Sequence, residues 1–151
     1  MAITTVGAAL EFAGNLENAV EKAHLESADQ AADSRLKAQL EKLAAAGNKR
    51  RSALKRLYDE HVYSDMDTGV LAPIASLTAQ DYALPDAPPS PADRALIQKA
   101  VDHVHTLRQF YDDLSAALQS GPRVIQRRID KIAGQIDETI NAITAIDASL
   151  D

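Results

Sequence analysis

Five of the six prolines in this 151-residue chain fall between positions 73 and 91: Pro73, Pro85, Pro88, Pro89 and Pro91. A proline inside a helix removes a backbone hydrogen bond and collides with the preceding turn, so no helix runs through that stretch. On either side the sequence reads as helix. The chain is therefore two helical halves joined by one long connection, Ser64 to Pro91.

Each half carries two amphipathic segments. In the first, Val6, Ala9, Ala13, Leu16, Val20 and Ala23 share a helical face, with Ile3 and Leu10 at its edge. The polar stretch Asp29 to Ser34 is turn-compatible, and Leu36, Leu40, Leu43, Leu54 and Leu57 then form a second face. In the other half, Ser90-Pro91-Ala92-Asp93 reads as a helix start, with Ser90 as cap and Pro91 in the first turn. Leu96, Ala100, Leu107, Phe110, Leu114 and Leu118 share the next face, which Gly121-Pro122 ends. The last stripe is the most regular: Ile125, Ile129, Ile132, Ile136, Ile143, Ile146 and Leu150. A lone helical hairpin leaves apolar surface in water, so the two hairpins must pack together. The expectation is an all-α four-helix bundle, two antiparallel helical hairpins joined by a long crossover, in a single domain over residues 1–151. The 64–91 crossover should be ordered where Val70, Leu71, Ile74 and Leu77 can pin it to the bundle. Its length lets the third helix run parallel to the second.

Composition excludes several classes of function. Aromatics are 4% of a chain that is 46% hydrophobic, so the core must be aliphatic. Cysteine is absent, which removes disulfides, thiol nucleophiles and cysteine-ligated clusters. A net charge of -6 opposes non-specific binding to nucleic acid or anionic membrane. The N-terminus has no basic segment followed by an apolar one, and no apolar run approaches a membrane span. A cytoplasmic location is expected. There is no phosphate-binding glycine loop and no serine in a nucleophile-elbow context.

Leu36-Lys37-Ala38-Gln39-Leu40-Glu41-Lys42-Leu43-Ala44 resembles the start of the second helix in rubrerythrin-like members of the ferritin-like superfamily. Phe110-Tyr111-Asp112-Asp113-Leu114 resembles the aromatic patch on the leading helix of their second hairpin. The resemblance implies a ferritin-like bundle. Its metal-bearing members supply a glutamate from each of two helices and Glu-x-x-His from each of the other two. At the matching positions this chain has Gly47 and Arg50 on the second helix, and Ile136 and Thr139 on the fourth. Gly14 and the neighbourhood of Val101 fall where the single glutamates belong. Glycine, isoleucine and a cationic arginine cannot donate to a divalent ion. The resemblance thus implies a degenerate metal site, and ferroxidase, peroxidase or oxygenase chemistry is not carried over. No catalytic residue, cofactor or metal is expected.

The remaining candidates are pairs of polar residues on helical faces. Glu21-x-x-His24 and Asp102-x-x-His105 have ligand-like spacing, but Asp102 and His105 point away from the apolar stripe, and Glu21 sits at a border. His24, His103 and Glu17 lie nearer the apolar faces and form an alternative zinc or iron site, set against ordinary boundary histidines. His61 lies on the inner stripe near a helix end, where water reaches it. The basic runs Lys49-Arg50-Arg51, Lys55-Arg56 and Arg123, Arg127, Arg128, Lys131 lack interleaved aromatics and read as solvated, ion-paired faces. Arg50 shares the face of Leu43, Leu54 and Leu57. A hairpin turning near Ala31 to Asp33 brings it within about one helical turn of Glu17. That predicts a Glu17–Arg50 ion pair in place of a metal, joined by His103 or a tyrosine hydroxyl. Against it stands an Arg50 that reaches water while Glu17 stays on the rim.

The sequence reading is a non-catalytic binding or structural module with an unidentified protein partner, a homodimer rather than a cage. Its alternatives are a metal-dependent oxidoreductase or storage protein with displaced ligands, and an anion- or nucleic-acid-binding module.

Overall fold

The computed structural model describes residues 1–64, 69–85, 92–118 and 122–150. The elements run β1 (Ala2–Thr5), α1 (Val6–Gln30), α2 (Ser34–His61), β2 (Pro73–Thr78), a single 3-10 turn (Ala79–Tyr82), α3 (Asp93–Ala117) and α4 (Arg123–Ser149). The bundle is built as two hairpins, α1 with α2 and α3 with α4. Local chemistry sets its corners. Asp33 caps α2, its carboxylate accepting the backbone N–H groups of Arg35 at 2.8 Å and Leu36 at 3.1 Å. The Asp93 carboxylate accepts the N–H groups of Ala32 at 2.9 Å and Asp33 at 3.0 Å, which sets the start of α3 beside the start of α2. Those helices run parallel, as the long connection allows. Arg128 pairs with Glu60, setting the start of α4 beside the end of α2 and making these two antiparallel.

The chain is not all helix. β1 pairs antiparallel with β2, with Ala2 opposite Thr78, Ile3 opposite Leu77 and Thr5 opposite Pro73, and the register is irregular between Ile3 and Thr5. The all-α expectation is corrected on this point. Ile3 is a buried strand residue, not the edge of a helical stripe. The local reason is three successive β-branched residues, Ile3, Thr4 and Thr5, which favour extended backbone before Thr5 caps α1 by accepting from Ala8 N–H.

The crossover then completes α1. The first N–H groups of a helix have no partner within it. Here Val6 donates to the Ala72 carbonyl at 3.0 Å and Gly7 to the Val70 carbonyl at 2.7 Å. Val70 N–H in turn donates to the carbonyl of His61, which ends α2. This junction is tight. A Cβ on Gly69 would lie 2.6 Å from Ser64 Cβ and 2.7 Å from the His61 oxygen, so a side chain there forces the junction apart. Val70 and Ala72 are buried and Ile74 and Leu77 half-buried, but Leu71 is 59% exposed. Residues 69–72 form a tight turn, closed by Ala72 N–H donating to the Gly69 carbonyl at 3.0 Å, which leaves Leu71 outward between buried Val70 and Ala72. It is not one of the pins expected of it.

Two further readings shift. α3 begins at Asp93 with Ala92 at the cap position and no side-chain cap bond, while the expected cap Ser90 and Pro91 lie outside the described residues. Gly121 also lies outside them, and Pro122 stands at the cap position of α4. The α4 stripe is buried from Ile125 to Ile143 but only half-buried at Ile146 and Leu150.

The apolar interior is divided. One cluster contains Leu10, Leu54, Leu107 and Ile129, with Phe110 against Phe12, Tyr82 and Tyr111 at ring-centre separations of 5.0 to 6.0 Å. The other contains Leu36, Leu40, Leu96, Ile97 and Ile143. On α2, Arg50 falls between Leu43 of the second cluster and Leu54 of the first; on α3, His103 falls between Ala100 and Val104. The buried polar residues therefore form a layer across the bundle, and that layer is the candidate site.

Candidate functional site

Glu17 and Arg50 occupy the centre. Gly47, Arg50, Leu54 and Leu57 recur at helical spacing on the inner face of α2, so the arginine is carried inward by the same periodicity that buries the leucines. Arg50 Nε donates to Glu17 Oε2 at 2.6 Å and Nη2 donates to Oε1 at 3.0 Å. The Tyr111 hydroxyl donates to Glu17 Oε2 at 2.8 Å. Glu17 is 0% exposed and Arg50 4% exposed. This two-pronged guanidinium–carboxylate contact is the strong, directional form of the interaction. Burial, then the neighbouring Glu17 charge, raises the Tyr111 pKa well above the usual range, so the phenol keeps the proton it donates.

Gly47 makes room for the pair. A Cβ there would stand 3.5 Å from Arg50 Nη2 and 3.6 Å from Glu17 Oε1, in ordinary contact, and anything larger would enter the space the pair fills. Ile136 is fully buried, and Thr139 turns its hydroxyl back to the Ile136 carbonyl at 2.6 Å. On α1 the inward residue is Glu17, not Gly14, which lies one turn earlier and has open space around its Cβ position. On α3 it is His103, with Val101 only half-buried.

His24 and His103 are 2% and 3% exposed. They do not join Glu17 as ligands: among the described residues no three histidine or carboxylate side chains form a group able to hold a metal. Both Glu17 oxygens are already engaged by Arg50 and Tyr111. The residues present do not fit a di-metal group. His103 Nε2 lies 3.4 Å from the Pro85 carbonyl oxygen rather than joining the ion pair. His24 Nε2 and His103 Nδ1 are buried without a hydrogen-bond partner. Burial foremost, then His103, Arg50 and Lys99, pushes the His24 pKa down to about 3; burial also lowers that of His103. Both rings are neutral at neutral pH.

The other candidates sit outside. Asp102 is half-buried and His105 exposed, and Glu21 pairs with Arg51 at 2.7 Å. Arg51 also donates to Asn18 at 2.7 Å, while Lys55 pairs with Asp59 at 2.9 Å and Arg128 with Glu60. Half-buried His61 holds its Nδ1 3.0 Å from the Leu57 carbonyl oxygen. A groove of about 470 Å³ runs between α1 and α2, lined in part by Gly14, Asn15, Asn18, Arg51 and Tyr58.

Sequence reasoning left open which tyrosine joins the pair, and it took His24 and His103 together only as metal ligands with Glu17. The signal for Tyr111 was available, since it follows Leu107 by four residues on the inner face of α3. Tyr82 gave no such signal: it is buried by its place in the crossover, with its hydroxyl donating to Asp113 at 2.5 Å.

No protein-family model, curated protein or solved structure matches this chain. No described helix is long and apolar enough to cross a membrane.

Proposed function

We propose that this chain is a ferritin-like bundle that acts as a non-catalytic binding or structural module, with an internal ion pair in place of a metal centre. The observation that carries the reading is the two-pronged Arg50–Glu17 contact. The buried carboxylate nearest the centre is committed to a permanent guanidinium and a phenol, and a divalent ion would have to displace both. With its interior filled this way, the bundle offers partners its outer faces. The reading expects one folded domain, a cytoplasmic location and a second copy of the chain as first partner.

Metal analysis of protein purified without a chelating tag tests it. Iron, zinc and manganese should each be far below one per chain, and a chelator should leave the thermal midpoint unchanged, because the apolar stripes close the core without a metal. The same sample should sediment as a dimer. One tightly held divalent ion per chain, with a large midpoint loss on its removal, would return the metal-dependent alternative.

A further inference from the structure

The Glu17–Arg50 pair satisfies itself, and the two histidines beside it do not. A carbonyl oxygen can only accept, so the contact with Pro85 makes Nε2 the protonated nitrogen of His103. Its Nδ1 is then a bare acceptor, buried with no donor. His24 Nε2 is likewise buried and unpartnered. A second proton on either ring needs a nearby acceptor. The charged and titratable groups acting on His24 are His103 and Lys99 from α3 and Arg50 from α2, and those acting on His103 are Lys99 and Asp102 from α3; α4 adds none among the described residues. Asp102 is the one acid among them, and it already accepts from Gln98 at 2.7 Å. Glu17 on α1 is taken by Arg50 and Tyr111.

We propose that His24 and His103 form a proton-operated latch between α1 and α3. Neutral rings let the helices close over the apolar cluster of Leu36, Leu40, Leu96, Ile97 and Ile143. A proton taken up by the pair releases the first half of α3 and uncovers that cluster.

The opening is confined to one end because the two ends are held differently. The start of α3 has no side-chain cap of its own, and the contacts across that corner lie at the surface: the half-buried Asp93 carboxylate accepts from Ala32 and Asp33, and Arg94 donates to the Leu150 carbonyl. The far end has the two-stranded sheet, the crossover carbonyls on α1 and the edge-to-face contact of Tyr82 with Phe110. The closed form rejects the proton, as the low His24 pKa reflects, whereas opened rings return to the ordinary histidine value of about 6.5. Opening therefore takes up protons and becomes more favourable as pH falls.

Amide exchange of the full chain, corrected for intrinsic rates and followed from about pH 7.5 to about pH 5, tests the latch across the ordinary histidine range. Residues 93–104 of α3 and 21–30 of α1 should lose protection by about tenfold per pH unit for each proton taken up, while residues 2–13 hold theirs. A His24→Phe, His103→Gln double variant should abolish the pH dependence in those segments. A magnetic-resonance titration of the four imidazoles in the unaltered chain gives a second readout. His24 and His103 should titrate only as α3 opens. Equal loss of protection at both ends, unchanged protection, or His24 and His103 titrating while α3 stays protected would each overturn the latch.

Discussion

Glu17→Gln and Arg50→Met should each destabilise the protein by about 3–5 kcal/mol, the usual cost of leaving one buried charge without its partner. The double variant should recover most of that loss. The asymmetry follows from desolvation: the pair as a whole gains little over a packed apolar centre, but half a pair is an uncompensated charge at a site with almost no water contact. Arg50→Met keeps a long flexible chain that can follow the guanidinium's path past Gly47. Urea unfolding of the parent, both single variants and the double variant gives the coupling directly. Small losses that simply add would mean that neither residue is desolvated in solution.

The second large effect is acid lability. The folded-state pKa of His24 is pushed down to about 3, while an unfolded chain has an ordinary histidine near about 6.5. Between those values the unfolded chain binds a proton that the folded chain refuses. Stability is then complete above about pH 6.5 and falls as pH is lowered, by about 1.4 kcal/mol per pH unit for this one group. The lowered pKa of His103 acts in the same direction. Asp33, whose bonds from Arg35 hold its carboxyl down to about 2, loses its contribution as pH falls from about 3.8 to about 2. Urea unfolding at a series of pH values should show the slope, and His24→Phe should flatten it. His105→Ala, altering an exposed ring, should leave it in place. A slope unchanged in His24→Phe would assign the acid limb to other groups.

The helices were legible because their faces are periodic: the isoleucine stripe of α4 and the leucines of α2 specify burial by spacing alone. The centre was legible for the same reason. Arg50 falls on the leucine face, and the turn at Ala31 to Asp33 fixes its level against Glu17. What could not be read depends on contacts between distant segments. Ile3 looks helical until β2 arrives to pair with it, and Leu71 looks like a core residue until Val70 and Ala72 have taken the inward positions. His24 and His103 were singled out in the sequence only as ligands beside Glu17. Packing shows instead that each buries a ring nitrogen with no hydrogen-bond partner.

The hydrogen bonds that finish the first turn of α1 run to carbonyls of residues 70 and 72. On a translating ribosome, Val6 and Gly7 are made long before those acceptors exist. The α1–α2 hairpin can assemble early, since its turn and inner faces are local in the chain. Its leading turn must wait, solvated, until the crossover emerges and folds back. The start of α1 is thus fastened by the crossover, and an arrest of synthesis before residue 70 would leave a hairpin whose α1 frays from the front.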